Sequence, residues 1–479
     1  MRKIFPISKE LYNVKDVYLP HTYRGVIFYC DEVSDLSIVS YLEKTELKKF
    51  HYTLLVIAFL VYMFTAMNVL LISGALPRIM DDLNIGKPEA SYLISMGFWG
   101  MLIGAILFGR LADIIGRRIA LILTISIHAV FTALFGTTHD YNLLSLYRFL
   151  AGIGLGGALP IPGVYISEYV PAKHRGKFVG LIETAWVWGT ILSIGINLAF
   201  LSVWDWEGVF YWGLSAIVLV PLVFLFLPES IRYLEEKDRI EEALEVLRKY
   251  DLIVGEVEIK AVERKKISWR ELFKPEYIAR TVLLMSLWAI LVYTYYGVFI
   301  WLPAILKERY NLLASLIWTI IIILPQIPGY YSAAFLLDKL GRKKILEIYL
   351  ILAGVGSILV ALSDFFEIGK VVIGNYEIGT ILLIGFIIIS FFNLGAWSGL
   401  YTYTPELYPT EYRGIGSGIA AASGRFAGII APIVTGFLLI GGSLLPAYSI
   451  FFLLHVIGGL LVLIMGIETK GLTLEEISH

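Results

Sequence analysis

Charge is scarce in this chain. Only 16% of its 479 residues are Asp, Glu, Lys or Arg, while 58% are apolar and the mean hydropathy is +0.75. Soluble domains carry about a quarter charged residues, and a soluble chain of this length would have roughly two or three such domains to coat. The deficit excludes a water-soluble enzyme, and the hydrophobicity excludes a disordered chain. Cysteine occurs once, at Cys30, which excludes an internal disulfide and a thiolate metal cluster. Glutamine also occurs once, at Gln326. With 39 basic and 40 acidic residues the net charge is −1, so nothing draws the chain as a whole to nucleic acid. The first 50 residues are polar and mixed, with no short apolar core after Arg2 and Lys3, and a cleaved signal peptide is not expected.

What is present is a series of long apolar runs. A spanning helix needs about 20 mainly apolar residues. Windows of that size mark twelve spans, near 53–76, 90–109, 119–137, 142–169, 178–201, 207–227, 280–303, 312–336, 345–363, 378–404, 415–440 and 442–466. The expected class is an all-α polytopic membrane protein: a cytoplasmic extension (1–52), six helices (53–227), a cytoplasmic linker (228–279), six helices (280–466) and a cytoplasmic tail (467–479). In the linker, Arg239–Arg248 spaces its apolar residues three or four apart, the pattern of a short amphipathic helix. If the N-terminus is cytoplasmic, 32 of the 39 basic residues fall in cytoplasmic segments and 5 outside, leaving Arg148 and Arg425 in the membrane. The positive-inside rule therefore predicts that both termini are cytoplasmic.

Two motifs occur twice. Leu111-Ala112-Asp113-Ile114-Ile115-Gly116-Arg117-Arg118 joins spans two and three, and Leu336-Leu337-Asp338-Lys339-Leu340-Gly341-Arg342-Lys343 joins spans eight and nine. Glu168 precedes Arg175 by seven residues after span four, as Glu406 precedes Arg413 after span ten. Two motifs repeated at matching places predict a six-plus-six duplication, a common plan in secondary transporters.

The segment Gly109–Arg118 resembles the signature loop of the major facilitator superfamily. Pro228-Glu229-Ser230-Ile231-Arg232-Tyr233-Leu234, Glu468-Thr469-Lys470-Gly471-Leu472-Thr473-Leu474-Glu475-Glu476 and Arg148-Phe149-Leu150-Ala151-Gly152 resemble its sugar-porter group. The resemblance covers roughly residues 48–477. The pocket helices depart from sugar porters: span seven reads Tyr293-Thr294-Tyr295-Tyr296-Gly297 where paired glutamines would serve sugar hydroxyls. Phe50-His51-Tyr52, Tyr295-Tyr296-Gly297, Tyr401-Thr402-Tyr403-Thr404-Pro405-Glu406 and Gly424-Arg425 look instead like the nicotinate and organic-ion branch. The resemblance implies transport of a small organic solute by alternating access, with two bundles rocking about a midplane site. It further implies cytoplasmic latches at Asp113, Arg117, Glu168 and Arg175 and at Asp338, Arg342, Glu406 and Arg413.

The residues inside the spans are the candidates for binding and coupling. Arg425 lies about 15 Å into its helix, where a guanidinium is costly without a partner or a cavity. A basic residue at this place resembles the charge-discriminating position of organic-ion transporters and implies a carboxylate substrate. Its alternative is a structural ion pair with Glu183. Glu183 is a candidate carrier of a coupling proton, or a partner of Arg425 or Arg175. Arg148 is the second coupling candidate. In proton-coupled sugar porters the matching arginine faces an acid in span one, where this chain has Asn68, and Thr65 fills an earlier position that is acidic in many organic-acid symporters. Neither carries a proton near neutral pH. Asn68 either bonds Arg148 or contacts substrate. Trp186, Tyr293 and Tyr296, with Asn393 and Trp397, form either a flat pocket for a planar ring or ordinary helix packing.

His128 and His455 read as core residues, and Trp204 and Trp206 as interfacial anchors. Gly152, Gly154, Gly156 and Gly157 read as a packing surface in span four. No catalytic constellation, cofactor or metal site is expected. The expected partners are a small organic solute and the lipid bilayer, with a proton as well if transport is symport through Glu183 rather than facilitated diffusion, and the chain is a monomer in the cell membrane. An aromatic carboxylate is the first substrate reading and a sugar the second. A transporter-like solute sensor is the rival class.

Overall fold

The computed structural model describes residues 42, 45–252, 268–366, 368–409 and 411–471. Cys30 with most of the N-terminal extension, the middle of the linker and the end of the Glu468–Glu476 motif lie outside the described residues. Among the described residues, eleven helices are long and apolar enough to cross a bilayer. They are Lys49–Asp82, Lys87–Ile115, Arg117–Phe135, Tyr141–Tyr169, Lys173–Phe226, Ile278–Lys307, Leu312–Leu340, Arg342–Leu362, Thr380–Glu406, Arg413–Leu438 and Leu445–Met465.

Lys173–Phe226 holds two crossings. Its 54 residues would extend about 80 Å at the α-helical rise, against about 30 Å of hydrocarbon. The break is at Asp205, whose φ of 55° and ψ of −171° leave the helical region. A 3-10 turn at Trp212–Val218 and the helix Leu219–Phe226 complete the return. Twelve crossings result, numbered here in chain order.

Span seven differs from its sequence expectation, running past Pro303 as a broken helix, Ile278–Phe299 followed by Leu302–Lys307. The connection from span nine to span ten contains a hairpin of β1, Lys370–Ile373, and β2, Tyr376–Gly379. Its turn opens on Gly374, at φ 59°, a conformation glycine adopts without strain. Within the linker, Ile240–Lys249 is helical and buries Ala243 and Leu247, so its apolar face is used against protein.

The helix contacts repeat with a period of six spans. The first span packs on the fifth as the seventh packs on the eleventh, and the second on the fourth as the eighth on the tenth. The third packs on the fourth and sixth as the ninth packs on the tenth and twelfth. Between halves the second meets the eleventh and the fifth meets the eighth, each contact being the other's counterpart. This is the packing a duplicated six-helix unit makes.

The repeated loops show how the duplication is built. Gly116 and Gly341 sit at φ 98° and 94°, which only glycine reaches readily, and each opens the helix that follows. A β-carbon at either would collide with a carboxylate, Glu229 at the first and Glu468 at the second. Those carboxylates cap the new helices: Glu229 Oε1 accepts from the backbone N–H of Arg117 at 2.8 Å, and Glu468 Oε1 from that of Arg342 at 2.8 Å. Negative charge suits a helix N-terminus. Beside each cap an arginine pairs with the carboxylate ending the neighbouring helix, Arg117 with Glu168 at 3.2 Å and Arg342 with Glu406 at 3.1 Å. A hydroxyl completes each set, Ser230 donating to Glu168 and Thr469 to Glu406.

Contacts between the halves gather on the face opposite these basic loops. Lys87 pairs with Glu308 at 2.6 Å and Lys307 pairs with Asp81. The Ser73 hydroxyl bonds the carbonyls of Phe299 and Ile300 at 2.9 and 3.0 Å. Span seven breaks here because Pro303 lacks the N–H that would serve the Phe299 carbonyl, and Ser73 of the other half replaces it. The molecule is closed on that face.

Candidate functional site

A cavity lies between the halves. Helix periodicity decides which side chains reach it. In span seven these are Trp288, Val292, Tyr295 and Tyr296; in span ten Leu394, Trp397 and Tyr401; in span eleven Ala421, Arg425 and Gly428. The steps of three, four and seven residues are those of one helix face. Tyr62, Phe98, Glu183, Trp186 and Tyr330 close the remaining sides.

The walls are aromatic and interlocked. Trp288 meets Trp397 edge-on at 5.4 Å and 82°, and Tyr401 at 5.3 Å and 87°. Tyr296 leans on Phe98 at 4.5 Å across the halves. The Trp186 indole donates to the Tyr295 hydroxyl at 2.9 Å, a second contact between halves. Such faces suit a flat ring, which they contact without ordering flexible side chains.

Two ionisable groups of opposite sign face this aromatic space. Glu183 Oε2 accepts from the Tyr62 hydroxyl at 2.7 Å, and Tyr62 in turn lies 3.4 Å from the Tyr401 hydroxyl. Arg425 is half-buried on the cavity wall. No hydrogen bond or ion pair engages its guanidinium among the described residues, and none joins it to Glu183. A guanidinium offers five donors in a fixed fork that matches a carboxylate.

The structure brings together Arg425, Glu183, Trp186, Tyr296 and Trp397 from the sequence-derived candidates, and places three others elsewhere. Asn68 is fully buried, its amide bonding His128 at 2.9 Å and the Gly213 carbonyl at 3.2 Å. Asn393 is fully buried between Thr294 at 2.9 Å and His455 at 3.0 Å. Both amides stand beside a core histidine that needs a partner, and that need fixes them away from the cavity. Tyr293 packs on Phe451. At 100° per residue it sits about 140° around the helix from Trp288, too far to share the cavity face.

Arg148 also lies outside the cavity. It is 3% exposed and donates to the backbone carbonyls of Asn68 and Val69 at 3.2 and 2.6 Å. Its bond is thus to the Asn68 main chain rather than the amide. Carbonyls with two lone pairs can accept it while keeping their helical bonds. Gly97 leaves the room, since a β-carbon there would meet Arg148 Nε at 2.9 Å.

Sequence reasoning missed Tyr62, Trp288, Tyr295, Tyr330 and Tyr401. The spacing of Trp288, Val292 and Tyr295 was a usable signal; Tyr62 and Tyr330 carried none. Trp206 is not an interfacial anchor: it is fully buried and its indole donates to Asp82 at 3.1 Å. Trp204 is exposed as expected.

Six of the latch residues, Asp113, Arg117, Glu168, Asp338, Arg342 and Glu406, pair within their own halves. Arg117 and Arg342 reach Asp113 and Asp338 at 4.0 and 3.5 Å, in addition to the glutamates above. Arg413 bonds the Tyr408 carbonyl at 3.2 Å and lies within electrostatic reach of Arg175, which belongs to the other half. One grouping of metal-ligating side chains exists among the described residues, Asp82, His139 and Glu207, on the closed face and outside the cavity.

Comparison with known proteins places this architecture. Residues 52–479 match the family described as "Sugar (and other) transporter". The chain is 34% identical to the niacin transporter NiaP of Acinetobacter baylyi over 92% of its length and 100% of that protein's. It is 33% identical to a putative niacin/nicotinamide transporter of Bacillus subtilis, over 88% of this chain and 97% of that one. Among solved structures, the inward-open xylose transporter XylE of E. coli superposes with a TM-score of 0.69 at 19% identity, covering 89% of this chain and 99% of that one. A twelve-span duplicated fold, a cavity between its halves and a family match over nearly the whole chain agree: this protein belongs to the sugar (and other) transporter family of the major facilitator superfamily.

Proposed function

We propose that this transporter carries a planar aromatic carboxylate, a pyridine carboxylate such as nicotinate, between two states of its halves. The observation that carries the reading is Arg425, an unengaged guanidinium on the wall of an aromatic cavity. A bidentate carboxylate would satisfy it, and the tryptophan and tyrosine faces would hold the ring. The names of the two relatives support the same substrate class. A sugar is disfavoured because sugar hydroxyls need many polar partners, and the lone glutamine, Gln326, is buried without lining the cavity.

Basic loops on the latch side are cytoplasmic in this reading, both termini are inside, and the protein sits in the cell membrane as a monomer. The closed face is then extracellular, so the arrangement faces inward. In the outward-facing state, the latch residues Asp113, Arg117, Glu168 and Arg175 approach Asp338, Arg342, Glu406 and Arg413 and shut the cytoplasmic side. Counterflow of labelled nicotinate, benzoate and glucose in proteoliposomes tests the substrate. Nicotinate exchange that is lost in Arg425→Ala is expected. Exchange of glucose alone, unchanged by Arg425→Ala, would overturn the reading.

A further inference from the structure

A ring bound by its carboxylate to Arg425 has a second edge to satisfy. Glu183 lines the same cavity, and its surroundings define what it can do there. Its Oε2 is engaged by Tyr62 at 2.7 Å. The titratable groups around it come from four other spans: Tyr62 of the first, Tyr330 of the eighth, Tyr401 of the tenth and Arg425 of the eleventh. Three are phenols and one is the cation of the proposed function, which lies within electrostatic reach of Glu183 without pairing directly with it among the described residues. The Glu183 carboxyl is an acceptor in a largely aromatic space, and placing a carboxyl there is costly unless it has a partner.

An unprotonated pyridine nitrogen is also an acceptor. Two acceptors repel unless one proton lies between them. We propose that Glu183 is the specificity-determining residue of the site and reads the ring nitrogen of a pyridine carboxylate through a single shared proton. This rests on the carboxylate reading of Arg425. In it the two ionisable groups divide the ligand: Arg425 takes the carboxylate, the aromatic walls take the ring, and Glu183 tests for a nitrogen. Benzoate satisfies the first two and fails the third, because it turns a C–H edge toward a carboxyl. Sites built to hydrogen-bond a group discriminate strongly against analogues that lack it. The proton is bound with the ligand, from the solvent on the side where the ligand enters, and no bond is made or broken.

Two substitutions separate the hydrogen bond from the proton. Glutamine at 183 donates an amide N–H to a ring nitrogen at any pH, whereas leucine offers no polar atom. The probes are nicotinate and benzoate, titrated against the purified full chain. Quenching of the cavity tryptophans follows binding, counterflow follows transport, and thermal melting shows that each variant is folded.

In the wild type, nicotinate is expected to bind at least about tenfold more tightly than benzoate. That preference grows as the pH falls from about 8 to about 6, a range in which both ligands' carboxylic acids remain ionised. Glu183→Gln is expected to keep a preference for nicotinate that no longer varies with pH. Glu183→Leu is expected to bind the two acids within about twofold of each other, the polar discrimination being gone. A nicotinate preference that survives in Glu183→Leu would overturn the assignment, and so would a wild-type pH profile in Glu183→Gln. Wild type that binds glucose but neither acid would overturn the proposed function with it. Equal binding of both acids by wild type, lost in Arg425→Ala, would leave the carboxylate reading standing and remove this one.

Discussion

Two arginines lie inside the membrane, and the protein treats them in opposite ways. Arg148 is enclosed, with Gly97 shaped around it and two main-chain carbonyls of the first span as its acceptors. Arg425 stands on the wall of the central cavity with no acceptor at all among the described residues. A guanidinium at depth is expensive in either case. In the first the fold itself supplies the compensation, so the residue ties span four to span one. In the second the side chain opens on the cavity, and in the proposed function the substrate carboxylate supplies the compensation. On that reading the same residue type is structural where its partners are built in and ligand-binding where it faces a cavity.

Charge reversal at the second arginine is expected to do the most damage. Arg425→Glu replaces a donor fork with an acceptor, and nicotinate counterflow should fall at least about 1,000-fold through loss of charge-assisted bonds and added repulsion. Near-normal flux in that variant would erase the distinction between the arginines. Arg148→Ala should act differently, costing about 2–4 kcal/mol by removing the guanidinium and leaving a void beside Gly97. A lowered melting temperature with an unchanged KM for nicotinate is the expected signature. A raised KM at normal stability would place Arg148 in the binding site.

Smaller effects test the duplication that underlies the comparison. Glu229→Gln and Glu468→Gln each weaken a helix cap, and each should cost about 1 kcal/mol. The two losses should be similar, since the caps are counterparts; thermal melting of both variants measures this. At the bottom of the scale, Tyr293→Phe removes a hydroxyl outside the cavity. It should change nicotinate affinity by less than about twofold, well under the roughly 1 kcal/mol of a typical hydrogen bond.

Much of the architecture was legible in the sequence, because membrane crossing leaves a strong signal in long apolar windows. Ten crossings read as separate helices, and the gap between spans eleven and twelve at Gly441, Gly442 and Ser443 falls where the helices end at Leu438 and resume at Leu445. Spans five and six fuse because one residue, Asp205, makes the bend and the helical hydrogen bonding resumes at once. The third repeat was present but disguised. Glu229 and Glu468 are 239 residues apart, close to the 238 that separate Glu168 from Glu406, yet their flanking residues differ. Only the shared task of capping a helix after a glycine shows them to be equivalent.

The site was read less completely, for a physical reason. Charge in a membrane is rare enough to mark Arg425 and Glu183 from composition alone. Polar amides and aromatics are not, and their direction depends on neighbours far away in sequence. Asn68 and Asn393 turned to histidines that no spacing rule connects to them, and Tyr62 and Tyr401 meet across 339 residues. The helical period chooses between Tyr293 and Tyr295 only once the cavity-facing direction of span seven is known.

The central claim is that Arg425 is left without a partner so that a carboxylate can supply one. Equilibrium binding of nicotinate to the purified chain, followed through Trp186, Trp288 and Trp397, tests it most directly. Affinity should drop at least about 100-fold in Arg425→Ala, as expected for two charge-assisted bonds, with the melting temperature of the unliganded protein held or raised. Arg425→Ala protein that binds nicotinate as tightly as the wild type would contradict it.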